Sequence, residues 1–482
     1  MILKRRSKIV CTLGPATESE VMIAALIEAG TDLIRLNFSH GNHEGHGKAI
    51  ERIRRISSRM GKPVAILQDL QGSKIRIGAL KEPVYQLKKG DSFTLYGTSV
   101  VGDHNGASTS HTRLYKRVAS GNSILLNDGQ ILLCVRKISG KDIICSVIEG
   151  GILSPNKGVN VPGKELGISA MTKKDWNDLK FGLDHGVDFV ALSMVKSAKE
   201  IVSVKKIIKQ EGKTTNVIAK LELAVAISNL TEIINAADGV MVARGDLGVD
   251  MPPEQVPLLQ KEIIRRANMA QIPVITATQM LESMITQSRP TRAEASDVAN
   301  AVLDGTDALM LSGETATGAH PIEAVQMMDR IILAAEQQSQ VTDTKMTTGL
   351  SVSEAVSKAA CLLAREMNAA AIVTSTLSGA AALRLSKYRP PVPIIAFTPS
   401  EEIARRMSIY WGVLAHAILK QPQIAGVVPP LTRPTGEDIF KEMIAEIQRG
   451  NLAKKGELLV LVSQSPKVET IPTDLIKVYR SS

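Results

Sequence analysis

Residues 216–248 of the chain read NVIAKLELAVAISNLTEIINAADGVMVARGDLG, and this stretch decides the fold. An apolar run of strand length, 216–221, is followed by an amphipathic helical pattern at 224–235 and by a second apolar run at 239–243. A helix between two strands returns the chain to the edge from which it started, so the two strands are predicted to be parallel. The stretch is therefore predicted to be one strand–helix–strand unit of a parallel sheet.

The same alternation recurs along most of the chain. Strands are predicted at 8–13, 32–37, 63–69, 187–193, 216–221, 239–243, 274–278 and 308–311, and helices at 18–29, 44–60, 198–210, 224–235, 254–270, 292–303 and 322–336. Eight strands that alternate with helices over roughly 250 residues match a closed (β/α)8 TIM barrel. An open doubly wound sheet is the alternative, but no G-x-G-x-x-G follows the first strand. We therefore predict the barrel.

A segment of different composition interrupts this pattern. Short strand-like runs at 92–96, 123–126, 131–135 and 143–147 alternate with Gly, Asp and Asn turns, which is typical of a small all-β domain. Because it follows the third strand, it would lie at the carboxyl end of the barrel, where barrel enzymes have their active sites, as a small β-barrel lid.

The last third of the chain continues the alternation of helix and strand. Helices are predicted at 352–367, 380–388 and 438–448, and strands at 370–375, 393–398 and 457–462, which indicates an open α/β domain. The predicted domains are the catalytic barrel at 1–73 and 167–345, the inserted lid at 74–166, and the C-terminal domain, for effector binding or oligomerisation, at 346–482.

Composition narrows the class of protein. The chain has 482 residues, 44% of them hydrophobic, and no apolar run approaches the roughly 20 residues of a membrane helix. Its basic start, MILKRRSKIVCTLGP, superficially resembles a signal peptide, but the apolar part is short and no cleavage site follows, so a first strand is predicted. Four widely spaced cysteines without a C-x-x-C pair favour a reducing, cytoplasmic compartment.

The net charge of +10 suits an anionic partner. Lysines and arginines are scattered, aromatic residues make up only 3%, and no nucleic-acid motif is present. The charge therefore favours phosphorylated metabolites over nucleic acid.

Polar residues follow the predicted strands, where a barrel would point them into its mouth. Lys220 and Glu222 stand two apart at the end of the fifth strand, so the strand period places them on the same side. The others, in chain order, are Arg35, Asn37, Ser39, His40, Asp69, Arg244, Gly245, Asp246, Thr278, Ser312 and Glu314. Their joint occurrence at successive strand ends predicts an active site.

The chemistry of the set suits phosphoryl transfer. Glu222 and Asp246 supply hard oxygen ligands for Mg²⁺ or Mn²⁺. Lys220 beside a metal would be repelled unless an anion such as phosphate bridged them, and the two cations together could stabilise a moving phosphoryl group. Backbone N–H groups near Gly245 could hold a carboxylate.

Each residue alone has a simpler interpretation. One carboxylate at a strand end is more often a helix cap or a solvated charge, and Ser312 with Glu314 could form a local cap. Thr278 could be an ordinary strand residue, and His40 in its Gly-rich loop could be solvated.

Longer runs of the sequence resemble the pyruvate kinase family. They include KIVCTLGPAT at 8–17, RLNFSHGNHEGH at 35–46, DLQGSKIRIG at 69–78, VIAKLE at 217–222, VMVARGDLGV at 240–249 and ATQMLESM at 277–284. The resemblance covers the barrel and the insertion and thins in the last third. It implies the final step of glycolysis, in which the phosphoryl group of phosphoenolpyruvate passes to ADP to give pyruvate and ATP.

The resemblance implies roles for the matching residues. Glu222 and Asp246 would hold the divalent metal, Lys220 would stabilise the transferring phosphoryl group and then the enolate, and Arg35 would bind phosphate. Substrate contacts are also implied for Gly245 and Thr278, the latter with Ser312 and Glu314 on the route that protonates the enolate. The nucleotide contacts implied are Asn37, His40, Arg76 and Lys157.

One departure concerns potassium. The family's monovalent-cation site corresponds to Asn37, Ser39, Asp69 and the carbonyl of Leu70. Lys74 stands where members that need K⁺ have Glu, and its ammonium group could supply the charge of the cation; we therefore expect K⁺ to be dispensable. The alternative is that Lys74 is a surface charge and K⁺ still binds. Ser73 replaces a usual Pro and could loosen the connection to the lid.

A second departure concerns regulation. The loop that binds fructose 1,6-bisphosphate in activated members reads TLSGAA at 376–381 here, without a basic residue, and SQSPKVETIPTD at 463–474 replaces a glycine-rich segment. A fructose bisphosphate effector is therefore not expected, whereas AMP, a sugar phosphate or no effector remain open. The resemblance also implies a homotetramer.

Two other functions are compatible with parts of the sequence. A metal-dependent lyase acting on a pyruvate-like acid would explain Glu222 and Asp246 but not Lys220 or the insertion. A catalytically silent effector-binding or RNA-binding protein would fit the basic charge but not the retained set of polar residues.

Overall fold

The computed structural model describes residues 5–164, 166–338, 350–418, 436–463 and 473–481. Eight of its strands form a closed parallel barrel. Around the barrel the strands follow the order first, eighth, seventh, sixth, fifth, fourth, third and second. They are Lys8–Thr12, Leu33–Asn37, Ala65–Asp69, Phe189–Leu192, Asn216–Leu221, Gly239–Ala243, Val274–Ala277 and Ala308–Leu311. The predicted (β/α)8 barrel is confirmed.

The helices of the barrel lie close to their predicted positions, with two differences. They are Glu20–Ala29, His43–Arg59, Lys173–Asp184, Ala198–Gln210, Ala224–Ser228, Leu230–Ala236, Arg244–Asp250, Val256–Met269, Arg292–Leu303, Gly313–Ala316 and Pro321–Gln338. The helices at 173–184, 244–250 and 313–316 were not predicted. The helix predicted at 224–235 is two helices, because Asn229 leaves helical geometry and its side chain donates to the carbonyl of Lys196 at 2.8 Å.

Four aspartates repeat at the amino ends of the even-numbered barrel strands. Each carboxylate accepts a hydrogen bond from a backbone N–H of the preceding odd-numbered strand, at 2.7–2.9 Å. The pairs are Asp32 with Ile9, Asp188 with Ile66, Asp238 with Val217, and Asp307 with Val274. Each aspartate also binds a Lys or Arg, so this end of the strands is fixed by a repeated ionic contact.

The inserted domain is built from β-strands, as predicted. Its six-stranded sheet has the order Val159–Asn160, Ser123–Leu126, Ile131–Ser139, Asp142–Glu149, Ser92–Tyr96 and Gly106–Ser108, and a small ladder pairs Tyr85–Leu87 with Gly151–Leu153. Buried aliphatic residues and Phe93 form its own core. The turn at Asn127, Asp128 and Gly129 has three successive positive φ angles of 50°, 53° and 87°.

The C-terminal domain contains a five-stranded sheet, in the order Val413–Ala417, Ile394–Thr398, Ala371–Ser375, Leu458–Ser463 and Leu475–Arg480. The last strand is antiparallel, and the other neighbouring strands are parallel. Its helices are Val352–Glu366, Ala380–Lys387, Glu401–Arg406 and Gly436–Arg449. The strands at 413–417 and 475–480 and the helix at 401–406 were not predicted. The predicted domain boundary at 345–346 and most of the segment 463–474 lie outside the described residues.

The loop at 376–381 directly follows the strand Ala371–Ser375. The Gly379 N–H donates to Thr376 Oγ1 at 3.0 Å, and Gly379 has a φ of 84° immediately before the helix Ala380–Lys387. Leu377 is 78% exposed. The loop is therefore a tight, self-bonded turn that presents an apolar side chain to solvent.

The four cysteines differ in burial, which predicts their reactivity. Burial raises the pKa of Cys11, Cys145 and Cys361 to about 12, whereas Cys134 is partly exposed. Since the thiolate is the reactive form, Ellman's reagent should react rapidly with one thiol in the native protein and with four after unfolding in guanidinium. Rapid reaction of two or more native thiols would contradict the packing described here.

Among the described residues, no helix is both long and apolar enough to cross a membrane.

Candidate active site

Lys220, on the fifth strand, lies in a cluster of oxygen atoms. Its Nζ is 2.9 Å from Glu222 Oε1 and 3.2 Å from Asp69 Oδ1, and it donates to Ser193 Oγ at 2.8 Å. The side chain is only 12% exposed. The strand end therefore brings Lys220 and Glu222 together, as their spacing predicts, with Asp69 from the end of the third strand beside them.

Glu222 is almost fully buried. Its Oε2 accepts the backbone N–H of Met194 at 2.7 Å, which fixes the orientation of the carboxylate. Burial raises its pKa, nearby Lys220 opposes that rise, and the negative charge of Asp246 adds to it. Negative charge is therefore crowded around Glu222 in a way that favours binding of a cation.

Asp246 lies in the first turn of the helix that follows the sixth strand, directly after Gly245. Its Oδ1 is 2.8 Å from the Nζ of Lys74, which is also 3.0 Å from Asp128 Oδ1 in the inserted domain. Burial would lower the pKa of Lys74, but Asp246 and Asp128 outweigh it, so the pKa is raised and the ammonium stays charged. Lys74 thus connects the sixth-strand loop to the inserted domain.

The donor set fits one divalent cation. In the cluster around Lys74 and Lys220, these two ammonium groups face four carboxylates, those of Asp69, Asp128, Glu222 and Asp246. The excess of negative charge matches a doubly charged ion. Within the described ranges no group of three or more His, Cys, Asp or Glu side chains is placed to hold a metal, so substrate and water oxygens would complete the coordination, as is usual for Mg²⁺.

Ser193, at the end of the fourth strand, was missed from the sequence. Its hydroxyl donates to the carbonyl of Leu70 at 2.7 Å and accepts from Lys220. It therefore links Lys220 to two residues of the predicted monovalent-cation site, Asp69 and Leu70. Its position directly after the run FVAL, at a barrel strand end, was the available signal.

The second strand and the loop after it carry four other predicted residues. Arg35 Nη1 donates to Thr12 Oγ1 at 3.0 Å. Asn37 Oδ1 accepts the Ser39 N–H at 3.1 Å, and the carbonyl of His40 is 2.9 Å from His46 Nε2. Asn37 and Ser39 are thus brought together, while the backbone of His40 is held by the following helix.

Thr278 lies just past the seventh strand in a strained conformation. Its φ is 68° and that of Gln279 is 53°, values that non-glycine residues rarely adopt. The buried carboxylate of Glu314 accepts the backbone N–H of Leu281 at 3.0 Å and that of Ser312 at 2.7 Å. Glu314 therefore joins the loop after the seventh strand to the loop after the eighth, which brings the regions of Thr278 and Ser312 together.

Arg76 and Lys157 lie on neighbouring segments of the inserted domain. Arg76 pairs with Gly158 in an antiparallel bridge, and its guanidinium donates to the carbonyl of Asn156 at 2.9 Å. The carbonyl of Lys157 accepts the N–H of Ile77 at 2.8 Å. Arg76 and Lys157 thus lie on two backbone segments that are hydrogen-bonded to each other.

The chain matches known proteins over nearly its whole length. Residues 4–325 match the family model for the pyruvate kinase barrel domain, and residues 354–479 match the model for the pyruvate kinase alpha/beta domain. The chain is 45% identical over 480 residues to pyruvate kinase 2 of Synechocystis, covering 99% of this chain and 79% of that protein. It is 42% identical over 478 residues to pyruvate kinase of Mycobacterium tuberculosis, covering 99% of both.

The fold of the chain is similar to that of a solved structure. The crystal structure of a pyruvate kinase from Cryptosporidium parvum superimposes with a TM-score of 0.90 at 34% sequence identity, covering 99% of this chain and 97% of the other. The cluster of Lys220, Glu222 and Asp246 is consistent with these matches. Because the matches extend over nearly the whole chain, the chain belongs to the pyruvate kinase family.

Proposed function

We propose that this member of the pyruvate kinase family transfers the phosphoryl group of phosphoenolpyruvate to ADP at the cluster of Lys220, Glu222 and Asp246. The products are pyruvate and ATP. The observation that carries the proposal is the buried contact of 2.9 Å between Lys220 Nζ and Glu222 Oε1. A second carboxylate, that of Asp246, contacts the ammonium group of Lys74. A site with this charge pattern can accept a metal-bound phosphate and then stabilise the charge that moves.

Mg²⁺, or Mn²⁺ in its place, would be held by Glu222 and Asp246. When bound, the ion supplies positive charge to the oxygens of phosphoenolpyruvate and later to the enolate oxygen. The Met194 N–H fixes one oxygen of Glu222, so the carboxylate is oriented before any ligand arrives.

Lys220 would bind the equatorial oxygens of the transferring group and then the enolate. Ser193 and Asp69 hold its ammonium group in place, which reduces the reorganisation needed during the reaction. Arg35 would bind the phosphate, and the N–H groups near Gly245 would bind the carboxylate of the substrate.

Protonation of the enolate would pass by Thr278, with Ser312 and Glu314 in support. Because both Glu314 oxygens accept backbone N–H groups, its contribution would be to hold the loops that carry Thr278 and Ser312. ADP would be bound by Arg76 and Lys157 of the inserted domain, with His40 and Asn37.

Potassium dependence is the first property to test. K⁺ would be dispensable at the site of Asn37, Ser39, Asp69 and the Leu70 carbonyl, because the ammonium group of Lys74 would supply the positive charge that the cation otherwise provides. We expect the rate in KCl to remain within about twofold of the rate in tetramethylammonium chloride at equal ionic strength. Strong activation by KCl would mean that Lys74 does not replace the ion.

Several broader properties belong to the same proposal. The enzyme would act in the cytoplasm as a homotetramer. Its effector, if it has one, would carry a single phosphate rather than be fructose 1,6-bisphosphate, because the loop at 376–381 has no basic residue.

A coupled assay of pyruvate formation tests the function. Pyruvate should appear from phosphoenolpyruvate only when ADP and a divalent cation are both present, and EDTA should stop the reaction. Pyruvate formed from another acid without ADP would favour the lyase, and no turnover under any condition would favour a silent binding protein.

A further inference from the structure

The ammonium group of Lys74 contacts one carboxylate oxygen of Asp246. Its Nζ lies 2.8 Å from Asp246 Oδ1 and 3.0 Å from Asp128 Oδ1, and its side chain is only 19% exposed. One ammonium group therefore bridges a carboxylate in the helix that follows the sixth barrel strand and a carboxylate in the inserted domain.

The surrounding backbone is shaped for this bridge. A Cβ atom built on Gly158 would lie 2.7 Å from Lys74 Cε, so any larger residue there would displace the lysine side chain. Asp128 lies in the turn with three successive positive φ angles. Few non-glycine residues adopt this backbone conformation, and it sets the position of the Asp128 carboxylate. The position of Lys74 thus depends on two special backbone features as well as on charge.

An ammonium group and a divalent cation need the same ligand here. Asp246 has one carboxylate, and an ammonium at 2.8 Å adds a positive charge within a few ångströms of any metal bound to it. Two cations so close repel strongly in a partly buried site, so binding of one is opposed by the other.

We propose that Lys74 is an internal competitor of the divalent cation: it occupies Asp246 in the metal-free protein and must leave it when the metal binds, keeping its second partner Asp128. This inference rests on the proposed metal site at Glu222 and Asp246. It makes Lys74 a residue that sets metal affinity and couples metal binding to the inserted domain.

Competition predicts opposite effects for the two partners of the bridge. Removing the charge with Lys74→Met frees Asp246, so the metal should bind more tightly. Removing the second partner with Asp128→Asn leaves Lys74 with Asp246 alone, so displacing the lysine becomes harder and the metal should bind more weakly.

The experiment is Mn²⁺ binding to the substrate-free protein, followed by the electron paramagnetic resonance signal of free Mn²⁺ at constant pH and salt. Lys74→Met should lower the Mn²⁺ dissociation constant about tenfold or more, the order expected for removing one charge beside the ligand. Asp128→Asn should raise it several-fold. Lys81→Met, which removes an exposed lysine paired with Asp103, is the matched control and should leave it unchanged.

The double variant Lys74→Met/Asp128→Asn decides between competition and simple electrostatics. Competition requires it to match Lys74→Met alone, because Asp128 acts only through the lysine. If Asp128→Asn weakens Mn²⁺ binding equally with and without Lys74, or if Lys74→Met leaves the affinity unchanged or lower, the inference is overturned.

Asp246→Asn separates this inference from the proposed function. Loss of Mn²⁺ binding in Asp246→Asn together with an unchanged Lys74→Met would reject the competition alone. Unchanged Mn²⁺ binding in Asp246→Asn would reject the metal site itself, and the inference with it.

Discussion

Lys220→Met is expected to lower kcat for phosphoryl transfer by about a thousandfold or more, because it removes the ammonium group closest to Glu222. Methionine keeps the length and much of the apolar stem of lysine, so the packing around the strand end is retained. The measurement is the steady-state rate of pyruvate formation at saturating phosphoenolpyruvate, ADP and Mg²⁺.

Lys205→Met is the matched control for this substitution. Lys205 also pairs with an aspartate, Asp238, but it lies on a barrel helix and is one-third exposed, so its loss should leave kcat unchanged. Both variants should keep the circular dichroism spectrum of the native protein. Retention of a tenth or more of the turnover by Lys220→Met would contradict the role given to Lys220.

Asp307→Ala is expected to lower the free energy of unfolding by about 3–5 kcal/mol, because it leaves buried cations without their partner. The carboxylate of Asp307 is fully buried, 2.5 Å from Lys387 Nζ and 3.0 Å from Arg389 Nη2. It also accepts the Val274 N–H, so it connects two barrel strands to the C-terminal domain. Burial lowers the pKa of Lys387 to about 8, and the negative charge of Asp307 limits this decrease. The variant would lose that stabilisation of the charged lysine.

The repeat of aspartates supplies its own control. Asp238→Ala removes the equivalent residue and the equivalent backbone hydrogen bond, but its partner Lys205 remains hydrated. Chemical unfolding in urea should therefore show a loss of only about 1–2 kcal/mol for Asp238→Ala. Equal losses in the two variants would show that the backbone bond, and not the buried ion pair, dominates.

The barrel could be predicted from the sequence because each strand is a short apolar run between turn signals. The runs at 216–221 and 239–243 agree with the structure at both ends. The strand period of two also placed Lys220 and Glu222 on the same side of the chain at the end of the fifth strand.

Other elements had weaker signals. The strand at 475–480 reads LIKVYR, is mostly exposed or half-buried, and alternates too little to stand out from a polar terminus. The split of the helix near Asn229 depends on a side-chain bond to Lys196, a residue 33 positions away. Such contacts are properties of the folded chain.

The same limit applies to the site. The sequence identified Lys74 as a departure from the family pattern, but its contacts with Asp246 and Asp128, 172 and 54 residues away, depend on the tertiary structure. Ser193 was missed because its position after a strand is a weak signal by itself, although its hydroxyl joins Lys220 to the Leu70 carbonyl.

Direct transfer of the phosphoryl group at Lys220 can be followed with phosphoenolpyruvate that carries radioactive phosphorus. The native protein with ADP and Mg²⁺ should place the label in the terminal phosphoryl group of ATP, in equal amount to the pyruvate formed, and Lys220→Met should not. Label released as inorganic phosphate, or label transferred equally well by Lys220→Met, would contradict the account.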